Sequence, residues 1–297
     1  MRIIGHGFAS AGVALVLLGA ETTSMLYAFA LGMLVGAAKL FVRPGTYAAI
    51  LLPVATAFAL ALTVFLLGRT VLIDEPLQVL VPPLVTLLPG AVLTTGIQEL
   101  AAGDMVAGSS RLVSGIAQLG FLAIGILAAM QITGVPASTA LLSTQPPLGA
   151  IQPWLGVLLF SVGIFLYYCG PKRSLYFLTL VLLVAYGGQL VGTFIMGNVF
   201  SGFFGAFALT VLAYLVQAVR GAPPAVVCFL PAFWLLVPGA TGLIRLTQTA
   251  TGVDFDASSI PNVLGSIVSI ALGVLVGTAL YRQLYTIAPS RWGLRLV

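Results

Sequence analysis

The sequence predicts an all-α, polytopic integral membrane protein of about ten transmembrane helices in two inverted five-helix repeats. Three observations carry that expectation. AVILMFWYC residues make up 60% of the 297 positions and Asp, Glu, Lys and Arg only 6%, too little charge to solvate a globular surface in water. Apolar runs long enough to cross a bilayer follow one another along the whole chain. A Pro-Gly pair also recurs, as Pro89-Gly90 and Pro238-Gly239, inside two of those runs.

The breaks between runs place the spans. Glu21 closes a first span over 3–20, and Arg43-Pro44-Gly45 closes a second over 25–42. A third, 46–67, ends at Gly68-Arg69, and Asp74-Glu75-Pro76 opens the fourth, 76–102. Gly103-Asp104 separates this from a fifth, 105–132. The stretch 133–152, rich in Pro, Ser and Thr, reads as a linker between a first unit, 1–132, and a second, 153–297. Beyond it lie spans over 153–169, 175–196, 199–219, 224–249 and 260–281, separated by Gly170-Pro171-Lys172-Arg173, Gly197-Asn198, Arg220 to Pro224, and Asp254 to Asp256. An alternative for the first segment is a signal peptide, with Arg2 as its charged start, but Leu18 occupies a position where cleavage calls for a small residue.

If the spans alternate, one side receives Arg2, Lys39, Arg43, Arg111, Lys172, Arg173, Arg220, Arg282, Arg291 and Arg295, and the other only Arg69 and Arg245. Positive residues favour the cytoplasmic side, so both termini are expected there, in the cell inner (plasma) membrane. The scattered cations form no nucleic-acid stripe. A single histidine, His6, precludes a His cluster or a Ser-His-Asp triad and reads as a structural residue near the membrane surface. Cys169 and Cys228 read as small core hydrophobes. No metal site, cofactor or enzymatic activity is expected; an intramembrane enzyme would need a nucleophile and base at membrane depth.

The second Pro-Gly lies 149 positions after the first, and at that offset Leu87, Ala91, Ala101, Gly103, Ser109 and Ser110 also meet identical residues at 236, 240, 250, 252, 258 and 259. Five spans per copy is odd, so the second copy enters from the opposite side, as in secondary transporters with a midplane site. Proline removes a helix hydrogen bond and crowds the carbonyl four residues back, here those of Val85 and Trp234. Broken backbone at membrane depth is tolerable where it is buried or lines a cavity. Half-helix ends suit a zwitterion.

The substrate site is therefore expected at Pro89, Gly90, Thr94, Thr95 and Gln98 in the first half and Gln189, Pro238, Gly239 and Thr241 in the second, with Thr86 nearby. Neutral hydroxyls and amides of this kind fit a small polar zwitterion, and no charge lies in either broken segment to suit a strongly ionic substrate. Gly103 reads as a helix stop and Asp104 as the N-cap that follows. Glu99, Asp104, Arg111 and Arg245 are the coupling or gating candidates, with Arg111 facing Glu99. Gly32/Gly36, Gly188/Gly192 and Gly273/Gly277 read as helix-packing pairs.

The stretch Leu87 to Asp104, with Gly108 and Arg111 after it, resembles the threonine/serine exporter family, and Leu235 to Ala240 looks like that family's later repeat. The resemblance implies proton-driven efflux of threonine, serine or similar small solutes by alternating access, with Pro89, Gly90, Gly103, Asp104, Gly108 and Arg111 matching the family motif. It is expected over essentially the whole chain. Two departures stand out: many members carry a soluble domain before the first span, and the second copy has Val253 and Ile260 where the first has Asp104 and Arg111. The alternative is a membrane subunit that needs a separate soluble or membrane partner, or a transporter of another small solute. Expected partners are the amino-acid substrate, the lipid bilayer, such a subunit and a second copy of the chain.

Overall fold

The computed structural model describes residues 1–43, 45–68, 76–136, 149, 151–219, 221–236, 243–244, 246–248 and 259–287. Among these residues the structure is helical, without strands, and the protein is an all-α, multi-pass membrane protein. The helices are α1 (Arg2–Leu18), α2 (Thr22–Phe41), α3 (Tyr47–Leu67), α4 (Pro76–Leu80), α5 (Gly90–Ala101), α6 (Met105–Thr133), α7 (Gln152–Tyr168), α8 (Lys172–Met196), α9 (Asn198–Gln217), α10 (Ala225–Leu236) and α11 (Ser259–Ile287), with a 3-10 segment, Pro82–Leu87, between α4 and α5. Helices α2, α3, α6, α8, α9 and, within α11, Pro261–Leu284 are long and apolar enough to span a bilayer, while α1, α7 and α10 are shorter apolar helices.

The span expected over 76–102 is more broken than one proline would make it. Pro82 and Pro83 carry no N–H. The chain tightens into 3-10 bonds from Leu84 N–H to the Val81 carbonyl (3.0 Å) and from Leu88 N–H to the Val85 carbonyl (3.2 Å). Leu88 is then extended (φ −71°, ψ 134°) and α5 starts afresh at Gly90. The Val85 carbonyl, expected to lose its partner to Pro89, is thus satisfied from within the break. Most of the linker over 133–152, and most of the span over 224–249 beyond Leu236, lie outside the described residues. The last span runs six residues past its expected end at 281, to Ile287, because Arg282 and Gln283 are helix formers and need not end a helix.

The chain divides into two compact units. The first comprises Met1–Pro89, Ser114–Cys169 and Gly239–Ile260, and the second Gly90–Val113, Gly170–Pro238 and Pro261–Val297. In the first unit α1 lies against α7 at backbone contact. A Cβ at Gly12 would fall 2.5 Å from the Phe160 nitrogen, and one at Gly156 would fall 2.9 Å from the Gly12 carbonyl oxygen. Gly32 and Gly36 let α2 approach α1 in the same way, Gly36 over His6. In the second unit Gly188 and Gly192 admit α9 beside α8, and Gly273 and Gly277 admit it beside α11. Close backbone approach matters here because lipid is as apolar as a side chain, leaving dispersion and interhelical hydrogen bonds to hold helices together. Ser269 supplies one such bond, accepting from the Phe203 N–H at 2.9 Å.

One expectation changes. Cys228 is buried as expected, but Cys169 is exposed and ends α7 in the left-handed region (φ 53°); it caps a helix where a core residue was anticipated. His6 is fully buried among α1, α2 and the 3-10 segment.

Gly12→Ala should force α1 and α7 apart and destabilise the protein by about 1–3 kcal/mol, seen as a lowered unfolding midpoint in detergent. Gly120→Ala, whose Cβ meets nothing within 4 Å, should leave the midpoint unchanged or slightly higher. Equal midpoints for the two variants would remove the case for backbone contact.

Candidate functional site

Helix α5 carries most of the residues singled out in the first half, and its ends are set locally. It begins at Gly90, after extended Leu88 and Pro89. It ends at Gly103, whose φ of 93° lies in the left-handed region. There Asp104 N–H donates to the Glu99 carbonyl (2.9 Å) and Gly103 N–H to the Leu100 carbonyl (3.1 Å), the paired bonds of a Schellman stop. Gly103 is the helix stop the sequence indicates. The exposed Asp104 has its carbonyl accept from Gly108 N–H at 2.9 Å as α6 begins.

Thr94 and Gln98 lie one turn apart on α5 and share a face. Thr94 is fully buried, and neither its Oγ1 nor the buried Gln98 Nε2 has a hydrogen-bond partner. Each such group costs on the order of 1–3 kcal/mol. A pair aligned on one helix face is therefore an expensive arrangement for an empty protein and a natural one for a ligand site.

Gln98 and Thr95 line a cavity of about 740 Å³ within the second unit. Its walls are Tyr214 of α9, Val226, Phe229 and Phe233 of α10, and Thr278 and Arg282 of α11. Tyr214 is held by stacking on Tyr281 (centroids 4.9 Å apart, planes at 19°) and by an edge contact with Phe229 at 5.8 Å. An aromatic wall facing a few hydroxyls, an amide and one guanidinium is the usual make-up of a small-molecule site. Chemically it offers a partner for a carboxylate, faces for an ammonium and bonds for a hydroxyl. The residues the sequence reading missed are Tyr214, Thr278 and Arg282. Arg282 was counted as a loop charge because its span was ended at 281, although apolar residues at 272, 275, 276, 280 and 284 continue the helical spacing past it.

Next to this face α5 crosses the start of α6 on two glycines. A Cβ at Gly96 would lie 3.0 Å from the Gly108 carbonyl, and one at Gly108 would lie 2.7 Å from the Gly96 carbonyl. The crossing sets Arg111 beside Glu99, and its Nε donates to both carboxylate oxygens at 2.8 Å. The pairing indicated by the sequence is present. With side chains 49% and 21% exposed, it contributes at most about 1 kcal/mol, which leaves it easy to open. Gln189 lies elsewhere in the unit, on α8 with its Cβ against Gly205 of α9, and is absent from the cavity lining. Pro238, Gly239, Thr241 and Arg245 lie outside the described residues.

Pro89 belongs to the first unit, where the break it closes is bound by polar groups from other helices. His6 Nε2 and Thr86 Oγ1 are 2.7 Å apart, Lys39 Nζ donates to the same Thr86 oxygen at 2.8 Å, and the Gln118 amide donates to the Leu87 carbonyl. A charged group thus reaches the broken segment from α2, although none is present in the segment's own sequence. Among the described residues no group of three His, Cys, Asp or Glu side chains could hold a metal ion.

Residues 1–133 match the sequence model of the family described as "Putative threonine/serine exporter". The match covers 133 of the 297 residues, less than half of the chain and a narrower range than the whole-chain resemblance expected from sequence. Comparison with curated proteins and with solved structures gives no match.

Thr94→Val removes an unpartnered hydroxyl at nearly constant shape. The ligand-free protein should therefore become more stable by about 1 kcal/mol, measured as a raised unfolding midpoint in detergent. A lowered midpoint would mean that the hydroxyl has a partner and that the site reading is wrong.

Proposed function

We propose that this chain, whose first 133 residues match the threonine/serine exporter family, is a secondary active transporter. It exports small neutral amino acids of the threonine/serine kind across the cell inner membrane, driven by protons, by alternating access. It is not an enzyme. The observation that carries the reading is the cavity of the second unit, with the unpartnered Gln98 amide and Thr94 hydroxyl on the helix that forms one wall. Arg282 takes the substrate carboxylate, the faces of Tyr214, Phe229 and Phe233 take the ammonium, and Gln98 and Thr95 take the side-chain hydroxyl, with the buried Thr94 behind them on α5. The last contact discriminates: a buried amide left unpaired rejects an analogue lacking the hydroxyl far more strongly than an apolar wall rejects one methylene.

Ala102 at the end of α5, Val226 at the start of α10 and Arg282 near the end of α11 all line the cavity. The charge asymmetry of the sequence assigns that end to the cytoplasm, together with both termini; this is the side on which an exporter loads. Glu99 and Asp104 take up the proton, and protonation of Glu99 frees Arg111 to move.

The inverted repeat belongs to the same reading. The helix lengths support it: α1 and α7 have 17 residues each, and α6 and α11 have 29 each. The family match also stops at 133, where the first five-helix unit ends. Pro82 and Pro231 fall at the same 149-residue offset as the Pro-Gly pairs. On that symmetry Pro238 and Gly239 serve the second half as Pro89 and Gly90 serve the first, and Thr241, Gln189 and Arg245, opposite Val92, Lys39 and Gly96, are polar groups of the second half alone.

The test is efflux of labelled threonine, serine and alanine from preloaded cells expressing this chain alone, with and without a protonophore. Threonine and serine efflux should be protonophore-sensitive and exceed that of alanine. Arg282→Gln should lower threonine and alanine efflux alike, by about tenfold, and Gln98→Leu should act on threonine far more than on alanine. Wild-type efflux in both variants would dismiss the cavity as the substrate site. No efflux from the inserted chain alone would favour the reading in which a partner subunit is required.

A further inference from the structure

A second cavity, of about 670 Å³, opens in the first unit and differs in chemistry from the one above. Three cations line it: Arg2 at the start of α1, Lys39 in the last turn of α2, and Arg43 just beyond that turn. Tyr167 and Tyr168, at the end of α7, form its aromatic side. We propose that this cavity binds the phosphate-bearing headgroup of an anionic phospholipid.

The first support is charge without a counter-ion among the described residues. Among the described residues Glu99–Arg111 is the ion pair present, and no carboxylate lies within ion-pair distance of Arg2, Lys39 or Arg43. Lys39 is half-buried; its ammonium spends one donor on Thr86 and lies 5.2 Å from the Tyr167 ring centroid. Three like charges gathered around a partly enclosed space repel one another unless an anion occupies it, and a cation taken from water is held at a cost unless it is paired.

Depth is the second support. The lining comes from the start of α1, the end of α2, the first turns of α3 (Ala49 and Leu52) and the end of α7, so the cavity sits where these apolar helices stop. Lipid phosphates lie at that level, and tyrosines gather there. Basic pockets between helices on the positive side of a membrane protein are characteristic headgroup sites.

The flank is the third. Phe41 is 88% exposed and Tyr47 87%, and Ile50 and Leu51 beside them are also exposed. Acyl chains extending from a headgroup in the cavity would cover such a surface. A free inorganic phosphate or a soluble carboxylate could use the three cations but would leave this apolar flank bare, which favours the lipid among ligands of the same charge. The site is independent of which solute crosses the protein.

Native mass spectrometry of the full chain in mild detergent, titrated with phosphatidylglycerol or phosphatidylcholine, tests this. One phosphatidylglycerol should remain bound under conditions that strip phosphatidylcholine. Arg2→Gln/Arg43→Gln, at two exposed positions, should reduce that retention by about tenfold or more. Lys172→Gln/Arg173→Gln removes the same charge from positions outside this cavity and should retain the lipid like wild type. Equal retention of the two lipids, retention unaffected by Arg2→Gln/Arg43→Gln, or an equal loss in the control variant would each overturn the site. Displacement of phosphatidylglycerol by millimolar inorganic phosphate would reassign the cavity to a free anion and overturn the lipid.

Discussion

Inside a bilayer every backbone N–H and C=O must find its partner within the protein, and among the described residues the break between α4 and α5 is where the chain meets that constraint most severely. Pro82, Pro83 and Pro89 remove three donors from one short segment. The gap is closed by 3-10 bonds within the segment and by the Gln118 amide of α6, which donates to the Leu87 carbonyl, while His6 from α1 and Lys39 from α2 hold the Thr86 side chain. The packing of the first unit follows from this. Ser10 Oγ returns to the His6 carbonyl at 2.8 Å, Gly36 lets α2 close over His6, and Gly12 and Gly156 lock α1 to α7 behind it. The small residues of α1 and α2 are therefore the means by which polar groups reach the break.

That division of labour explains what could be read in the sequence. Spans, helix stops and packing glycines were legible because each depends on local chemistry: apolar length, a left-handed glycine at 103, a glycine repeated every fourth residue. The Glu99–Arg111 pair was legible because the turn between α5 and α6 is short and fixes both partners. His6 and Lys39 at Thr86 were not, since 80 and 47 residues of chain separate the partners and only the tertiary packing of α1 and α2 unites them. Arg282 was missed for a different reason: a charge at the edge of an apolar run looks like a loop residue until the helix is seen to continue to Ile287.

On the repeat reading, the two halves are unequal where it matters. The positions that correspond to His6, Lys39 and Thr86 hold Gly156, Gln189 and Leu235. The second half therefore has neither the ammonium nor the imidazole that reaches the first break, and Asp104 and Arg111 meet Val253 and Ile260. A pseudo-symmetric fold supplies two breaks and two mouths from one plan, which is what alternating access asks for. Directionality and coupling demand that the mouths differ, because a ligand or proton shifts an equilibrium only as far as it interacts unequally with the two states.

On the transporter proposal, the ionisable groups of the first half supply that inequality. Glu99 and Arg111 are joined by a partly exposed pair that is cheap to break, whereas Lys39 donates to the Thr86 side chain within the 3-10 segment of the broken span. A charge in water-accessible surroundings can report the state of the solvent, and one at the break can alter the conformation. A chain with nineteen charged side chains in 297 residues has few to place in this way. On the transporter proposal, the convergence of several of them on α5 and the segment leading into it makes this the part of the molecule whose rearrangement carries the coupling.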